Sequence, residues 1–558
     1  MPSGVTRVVP PSALPVCSLT AEKPLGGLRI SVLGLAIALA FVGLLVPLLI
    51  VDVPPVLDYP NHYARMWLIA GGAQLAPLDQ MYAVDWSQAS TNIGIDLMAQ
   101  IFGHLLGAGA VAKTCLIASI LLPCLGCLWL HRRVFGGAHW WQLTFVLPAF
   151  GKTGLAGFMN FNIGVGLALV GAVIDENLVR RGRVATFCGR AVIATVTLIF
   201  HPFATLAYAG LVVAMIVGRE MPDLRSPGVL ADKVLGTLMA ALAIGLPVGL
   251  LLTLSPHSPL DVERGRTLLG WAPFSAPGKL GDLLTAYRAY VPWFDGLVAL
   301  ITLAIAGLAI CIRRCSVHVG LLLAGLAFAA VALVMPARIG DAYWVETRLP
   351  VFATFILLAS IRPEFAFSGR RLAMVSGALL ALGLARTAVV GTAWSRGQQD
   401  VQAVRHALSD VPSGASVLPI TNSLDKHAIG SAPFGRYFAG RNPAFWSYPA
   451  LAVIARHAFV PTLWTVPGQH SLRTNGDWRF MSGPFGGLPI AASELGNRAN
   501  PPPKQYLTSW RRFDYILHLN ADMPTGPDDK LPAQGLELVS DQGFAKLYRI
   551  VPQTPDSR

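Results

Sequence analysis

The stretch "LLVPLLIVDVPPVLDYPNHYARMW", residues 44–67, decides the reading of this chain. An apolar run long enough to cross a bilayer stops at Asp52. Two prolines follow, and then Asp58, His62 and Arg65 come in quick succession. Ionisable groups are thus set against the surface the chain has just left. The run 28–51 is too long for a signal-peptide core and lies far from the first residue, so it reads as an uncleaved first span.

Composition extends that reading to the whole chain. Of 558 residues, 54% are hydrophobic and 13% charged, and the mean hydropathy is +0.55. An ordinary soluble domain carries about 25% charged residues. The net charge of +13 does not call for nucleic acid, because the basic residues cluster at the ends of apolar runs and act as topology determinants. The seven cysteines (17, 115, 124, 127, 188, 311 and 315) all precede the hydrophilic C-terminal part, so no disulfide framework is expected there. Cys124 and Cys127 lie in "LLPCLGCLWL" and read as a small-residue packing face, not a metal or redox site.

Apolar runs place candidate spans at 28–51, 110–131, 139–152, 160–179, 184–200, 201–218, 230–254, 293–312, 316–335, 349–361 and 371–392. Residues 92–107 are too short for the roughly 30 Å hydrocarbon core and carry Asp96 and His104, so they are expected to lie on the membrane surface. With that choice Arg132, Arg133, Arg180, Arg181, Arg183, Arg219, Arg225, Arg313, Arg314, Arg362, Arg370 and Arg371 all fall on one side, as the positive-inside rule demands.

The expectation is a mainly α, polytopic inner- or plasma-membrane protein of about eleven transmembrane helices with juxtamembrane surface helices. A cytoplasmic tail covers 1–27, a membrane domain 28–392 and an exoplasmic (periplasmic) α/β domain 393–558. In that last part "VQAVRHALSDVPSGASVLPI" reads as helix, turn and strand. "FDYILHLN" reads as a strand, and "LELVSDQGFAKLYRI" as a hairpin turning at 541–543. Residues 421–504, rich in Pro, Gly, Trp and Phe, are expected as long loops on the membrane face.

Asp58 directly precedes a helix with Pro60 in its first turn, so the residue type suits an N-cap. His62, four residues on, shares its helical face. An outward carboxylate after the first span, a surface helix, and a second span ending in the basic turn "LWLHRRVFGG" follow one another in order. This layout resembles the GT-C integral membrane glycosyltransferases, in the branch of the protein O-mannosyltransferases and lipid A aminoarabinose transferases. The resemblance covers about residues 28–220, and the appended outward domain also fits it. It implies transfer of a sugar from a polyprenyl-phosphate donor to an acceptor at the outer membrane surface. It also implies a catalytic role for the aspartate of the first outer loop, here Asp58. Where the family often has a second acid beside that aspartate, this chain has Tyr59.

A polyprenyl-phosphate donor requires cations at the same surface. Arg338 and Arg348, in "PARIGDAYWVETRLP", immediately precede a span and suit bidentate phosphate binding, unless Asp341 or Glu346 engages them. Arg65 and Lys152 are further candidates. His201, at a His-Pro junction between two apolar runs, and Asn160, in "NFNIG", are candidate substrate-binding residues, with His62 beside Asp58. Trp271, Trp293, Trp344, Trp464 and Trp478 suit either sugar stacking or a membrane-interface belt. No dense Asp/Glu/His cluster supplies a divalent-metal site, so no metal or other cofactor is expected. The expected partners are the lipid-linked donor, an unidentified acceptor and membrane lipids, with no nucleic acid. A flippase or transporter, or a non-catalytic assembly subunit for a lipid-linked glycan, is the alternative. Transporters tend to bury charge within their spans, whereas here it gathers at their ends.

Overall fold

The structure is a computed structural model. It describes residues 7–8, 32–218, 227–254, 269–271, 275–339, 342–367, 369–422, 424, 426–482, 488–495, 510–524, 531–532 and 534–551. Most of the expected cytoplasmic tail, much of loop 255–292, and Asp341 lie outside these residues.

Uninterrupted apolar sequence with few Gly or Pro breaks produces the long helices. In chain order they are α1 (Val32–Ile50), α2 (Tyr59–Ile69), α3 (Gly94–Leu106), α4 (Ala108–Phe135) and α5 (Met159–Val179). There follow α6 (Arg183–Phe200), α7 (Pro202–Gly218), α8 (Pro227–Leu254), α9 (Pro292–Cys311), α10 (Val319–Val334), α11 (Arg348–Ser360) and α12 (Gly369–Leu408). Among the described residues seven helices are long and apolar enough to cross a membrane: α1, α4, α5, α6, α8, α9 and α12. Helices α3, α7 and α10 are apolar but shorter. The outward sides of α1 and α8 expose Leu39, Val42, Val46, Leu238, Leu242 and Leu246, an apolar surface that suits lipid and not water. The chain is therefore a membrane-embedded helical protein.

Two expected spans take another form. Residues 139–152 do not build a membrane-length helix; they form the 3-10 helix Trp140–Val146 followed by turns. Every residue from 140 to 150 is buried, and Trp141 Nε1 donates to the Leu358 carbonyl at 3.1 Å. Non-helical backbone at membrane depth is tolerated where protein surrounds it, which is the situation here. The expected span 371–392 is part of the 40-residue α12. At 1.5 Å per residue that helix is about 60 Å long, twice the hydrocarbon core. Its last third is held by polar contacts. Gln398 donates to the Val53 carbonyl at 2.7 Å, and Arg405 pairs with Asp52 at 2.6 Å.

Several arginine-bearing helix ends gather at one pole. Arg362 donates to the Phe135 carbonyl at 2.7 Å. Cys315–Val317 pairs antiparallel with Ile361–Pro363, and the Glu364 N–H donates to the Arg314 carbonyl at 2.8 Å. The opposite pole carries Asp58, the turn between α6 and α7, the start of α11 and the chain beyond α12. At that pole Gly107 joins α3 to α4 at φ +81°, a backbone setting that excludes a smooth helical continuation and favours glycine.

Past α12 lies a five-stranded sheet of β1 (Val417–Thr421), β2 (Ile490–Ala491), β3 (Tyr515–Leu519), β4 (Leu536–Asp541) and β5 (Ala545–Ile550), in the spatial order β2-β1-β3-β5-β4. The helix–turn–strand run and the hairpin around 541–543 match the sequence expectation. β1 and β3 are parallel, and β5 is antiparallel to both β3 and β4. The segment 421–482 is less irregular than expected. It contains the helix Leu451–Arg456 and a strand, Leu472–Thr474, paired with Tyr82–Val84 from the loop after α2. Arg436 fastens this segment to α12 and the sheet. It donates to both Asp400 oxygens at 2.8 and 2.9 Å and both Asp522 oxygens at 2.8 and 2.7 Å.

Candidate functional site

Asp58 is buried at the N-cap of α2, with φ −91° and ψ −13°, yet its side chain makes no capping hydrogen bond. Its backbone is fixed from the other side: the Leu57 and Asp58 N–H groups donate to the Leu155 and Ala156 carbonyls at 3.1 and 3.0 Å. The short helix Lys152–Ala156 ends there at Gly157, φ +84°. A side chain at Gly157 would meet the Asp58 Cβ at 3.1 Å and Val56 Cγ1 at 2.9 Å. The carboxylate is therefore held in place by backbone and leaves its oxygens uncommitted to the helix.

The charges around it set its acidity. Burial pushes the Asp58 carboxyl well above the ordinary carboxylate range, and the cations of Arg348 and then Arg65 pull it back. The net direction is upward, so desolvation outweighs both cations. His62 packs edge-on against Trp464 with ring centroids 5.0 Å apart. Its Nδ1 has no hydrogen-bond partner among the described residues. Burial, and then the Arg65 charge, hold this imidazole well below its usual pKa, against a hydrogen bond with the Gly157 backbone, so it is neutral.

Arg348, the first residue of α11, is buried among aromatic rings. Its guanidinium lies 4.9 Å from the centroid of Phe158, 5.6 Å from Phe161 and 5.7 Å from Phe203. Nη1 sits 2.5 Å from His201 Nε2, Nη2 donates to the Tyr343 carbonyl at 3.3 Å, and Nε has no partner among the described residues. His201 sits in the break between α6 and α7, where Pro202 begins the new helix. The break frees the Phe203 N–H, which donates to His201 Nδ1 at 3.1 Å. Beside this cluster Lys152 stacks over Trp344 at 4.3 Å, Trp344 touches Phe158, and one Glu346 carboxylate oxygen is buried without a partner among the described residues.

Asp58, His62, Arg348 and His201 thus share the wall formed by Gly157, Phe158 and Phe161. Other sequence candidates sit elsewhere or are occupied. Arg65 is fully buried, with Nε donating to Asp96 at 2.9 Å and Ser471 donating to the other Asp96 oxygen. Its charge reaches Asp58; Nε and Nη2 both lie 2.9 Å from the same Asp96 oxygen, and Nη1 is buried with no hydrogen-bond partner among the described residues. Asn160 accepts from the Ile95 N–H and donates to the Asn92 carbonyl, so it ties down the start of α3. Arg338 belongs to a small sheet, where its backbone pairs with Gly270 and Tyr343. Among the tryptophans, Trp344 and Trp464 line the cluster, Trp478 packs on Phe459, and Trp271 and Trp293 are exposed.

The sequence reading missed the aromatic cage and Glu346's orphan oxygen. Phe158 and Phe161 stand three apart at the start of α5, the one local signal that both rings face the same way. Among the described residues no group of three or more His, Cys, Asp or Glu converges as a metal site would require. No family model matches the chain, and no curated protein matches it.

Proposed function

We propose that this chain is an integral membrane glycosyltransferase, moving a sugar from a polyprenyl-phosphate donor to an acceptor hydroxyl at the Asp58 pole. The observation that carries the reading is the convergence of an uncapped, buried carboxylate with a buried guanidinium at the pole opposite the arginine-bearing helix ends. A phosphate at the guanidinium accepts from Arg348 and from His201. The acceptor hydroxyl attacks the anomeric carbon, its proton passes to Asp58, and the carbon–oxygen bond to phosphate breaks as polyprenyl phosphate leaves. The neighbouring rings keep water out and strengthen the Arg348 charge.

In this reading the shorter helices α7, α10 and α11 and the buried segment 139–152 also traverse the bilayer, giving eleven crossings. The arginine-rich pole is cytoplasmic, and the five-stranded sheet belongs to an exoplasmic α/β domain. The test is direct: purified protein in lipid nanodiscs, polyprenyl-phosphate donors bearing different labelled sugars, and assay of free polyprenyl phosphate. Donor-dependent release that needs Asp58 supports the reading. No release from any donor, with or without lipid and glycan acceptors, sinks it in favour of transport or assembly.

A further inference from the structure

A second concave site lies on the five-stranded sheet, away from Asp58. Where β1 and β3 begin and β5 ends, a groove of about 700 Å³ is lined by Arg511, Arg512, Asp514 and Arg549 above a floor that includes Phe513 and Tyr515. Phe513 and Tyr515 are themselves buried, so the groove has a rigid apolar base and a cationic rim. That volume is typical of small-molecule sites.

The arginine charges are poorly neutralised. Arg511 lies over the Trp510 ring at 4.7 Å and against Gly535, where an added Cβ would meet its Nη1 at 3.2 Å. Among the described residues, ring and backbone therefore hold its guanidinium without an acid. Arg512 has no ion-pair partner among the described residues and is exposed. Arg549 reaches Glu537 at 3.6 Å, but both side chains are more than half exposed, where such a pair is weak. The one acid in the groove among the described residues, Asp514, accepts at Oδ2 from the Ser416 N–H and Oγ, each at 2.8 Å, so three arginines face a single carboxylate and the rim keeps a net positive charge.

We infer that this groove binds a small organic oxyanion, a phosphorylated or carboxylated group, between Arg511, Arg512 and Arg549. Guanidinium forks match the paired oxygens of either group. The inference goes beyond the proposed transfer reaction and stands without it.

The test is calorimetric titration of the full-length protein in nanodiscs with inorganic pyrophosphate and, separately, with glucuronate. Saturable binding of at least one probe is expected, weakening as salt rises. Arg512→Gln combined with Arg549→Gln should weaken it about tenfold or more, with the melting temperature unchanged. Arg512→Lys should retain an intermediate affinity. Preference for pyrophosphate assigns a phosphoryl ligand, and preference for glucuronate an acidic sugar. Failure of both probes to bind, or binding indifferent to the double substitution, overturns the inference.

Discussion

Arg348 Nη1 lies 2.5 Å from His201 Nε2, while His201 Nδ1 faces the Phe203 N–H at 3.1 Å. Both neighbours are donors, and a neutral imidazole accepts at one nitrogen only. One donor at this junction is therefore left over, and Arg348 Nε is unpartnered as well. An oxyanion placed there accepts from the guanidinium and from His201 Nε2–H, with Nδ1 still bound to Phe203.

Arg348→Ala should reduce transfer by about 100-fold or more, because it removes charge and fork together. Arg348→Lys keeps a point charge inside the ring cage and should fall between wild type and Ala. Steady-state kinetics over donor concentration check this. Wild-type kcat/KM in a normally inserted Arg348→Ala protein would place the phosphate elsewhere.

The Asp58 shift fixes a pH profile. If the carboxylate is the base, activity appears as it ionises, and burial raises that transition above the ordinary carboxylate range. Arg348 is the larger of the two cations that lower it, so Arg348→Gln should move the acid limb of its residual activity to still higher pH. Rate profiles of both proteins measure the displacement. An acid limb that stays put in the variant removes Arg348 from the surroundings of the titrating group.

Gly157→Ala tests how the carboxylate is positioned. The left-handed φ of +84° alone costs an L-residue about 1–2 kcal/mol, and the new methyl would press on Asp58 and Val56. Gly136, at φ +73° with nothing within 4 Å of an added Cβ, is the control. Both variants should lose stability to backbone strain, but only Gly157→Ala should lose transfer per folded molecule, by about tenfold or more. Equal activities in the two would mean that Asp58 tolerates displacement.

Topology is testable by reporter fusions. The arginine-rich ends at 135, 182, 222, 314 and 366 should report cytoplasmic, and 80, 270, 342 and 450 exoplasmic. Opposite locations for 80 and 450 would break the eleven-crossing arrangement and return α3 to the membrane.

These outcomes depend on features the sequence displays unevenly. Helix α1, its abrupt stop and Asp58 are legible because length and composition alone specify them. Residues 139–152 are not: an apolar run reads alike whether lipid or protein surrounds it, and only the packing of Trp141 against α11 distinguishes the two. The engagement of Arg65 was equally hidden, since Asp96 stands 31 residues away in the chain. The cage around Arg348 draws on α5, α7 and the residue before α5, segments that meet only in the folded bundle. His201 was visible as an anomaly, a polar group between two spans, but its partner was not.

Asp58→Asn separates catalysis from architecture. The substitution preserves shape and removes the ability to take a proton, so transfer should fall by at least about 100-fold. Stability should move the other way. The folded-state pKa of Asp58 is raised, so its contribution to stability is present below the unfolded carboxylate value and lost as pH rises through the folded one. Above the ordinary carboxylate range, ionising the buried group costs stability that asparagine does not lose, and the side chain caps nothing that would be forfeited. The variant should therefore melt at the same temperature or higher, while being nearly inactive. Asp52→Asn removes only a half-exposed pair with Arg405 and should leave transfer close to wild type. A purely structural Asp58 predicts the reverse pattern, with lower melting temperature and activity in proportion to the folded fraction. Melting curves and single-turnover transfer on the same preparations decide between them, and full turnover in folded Asp58→Asn ends its assignment as the base.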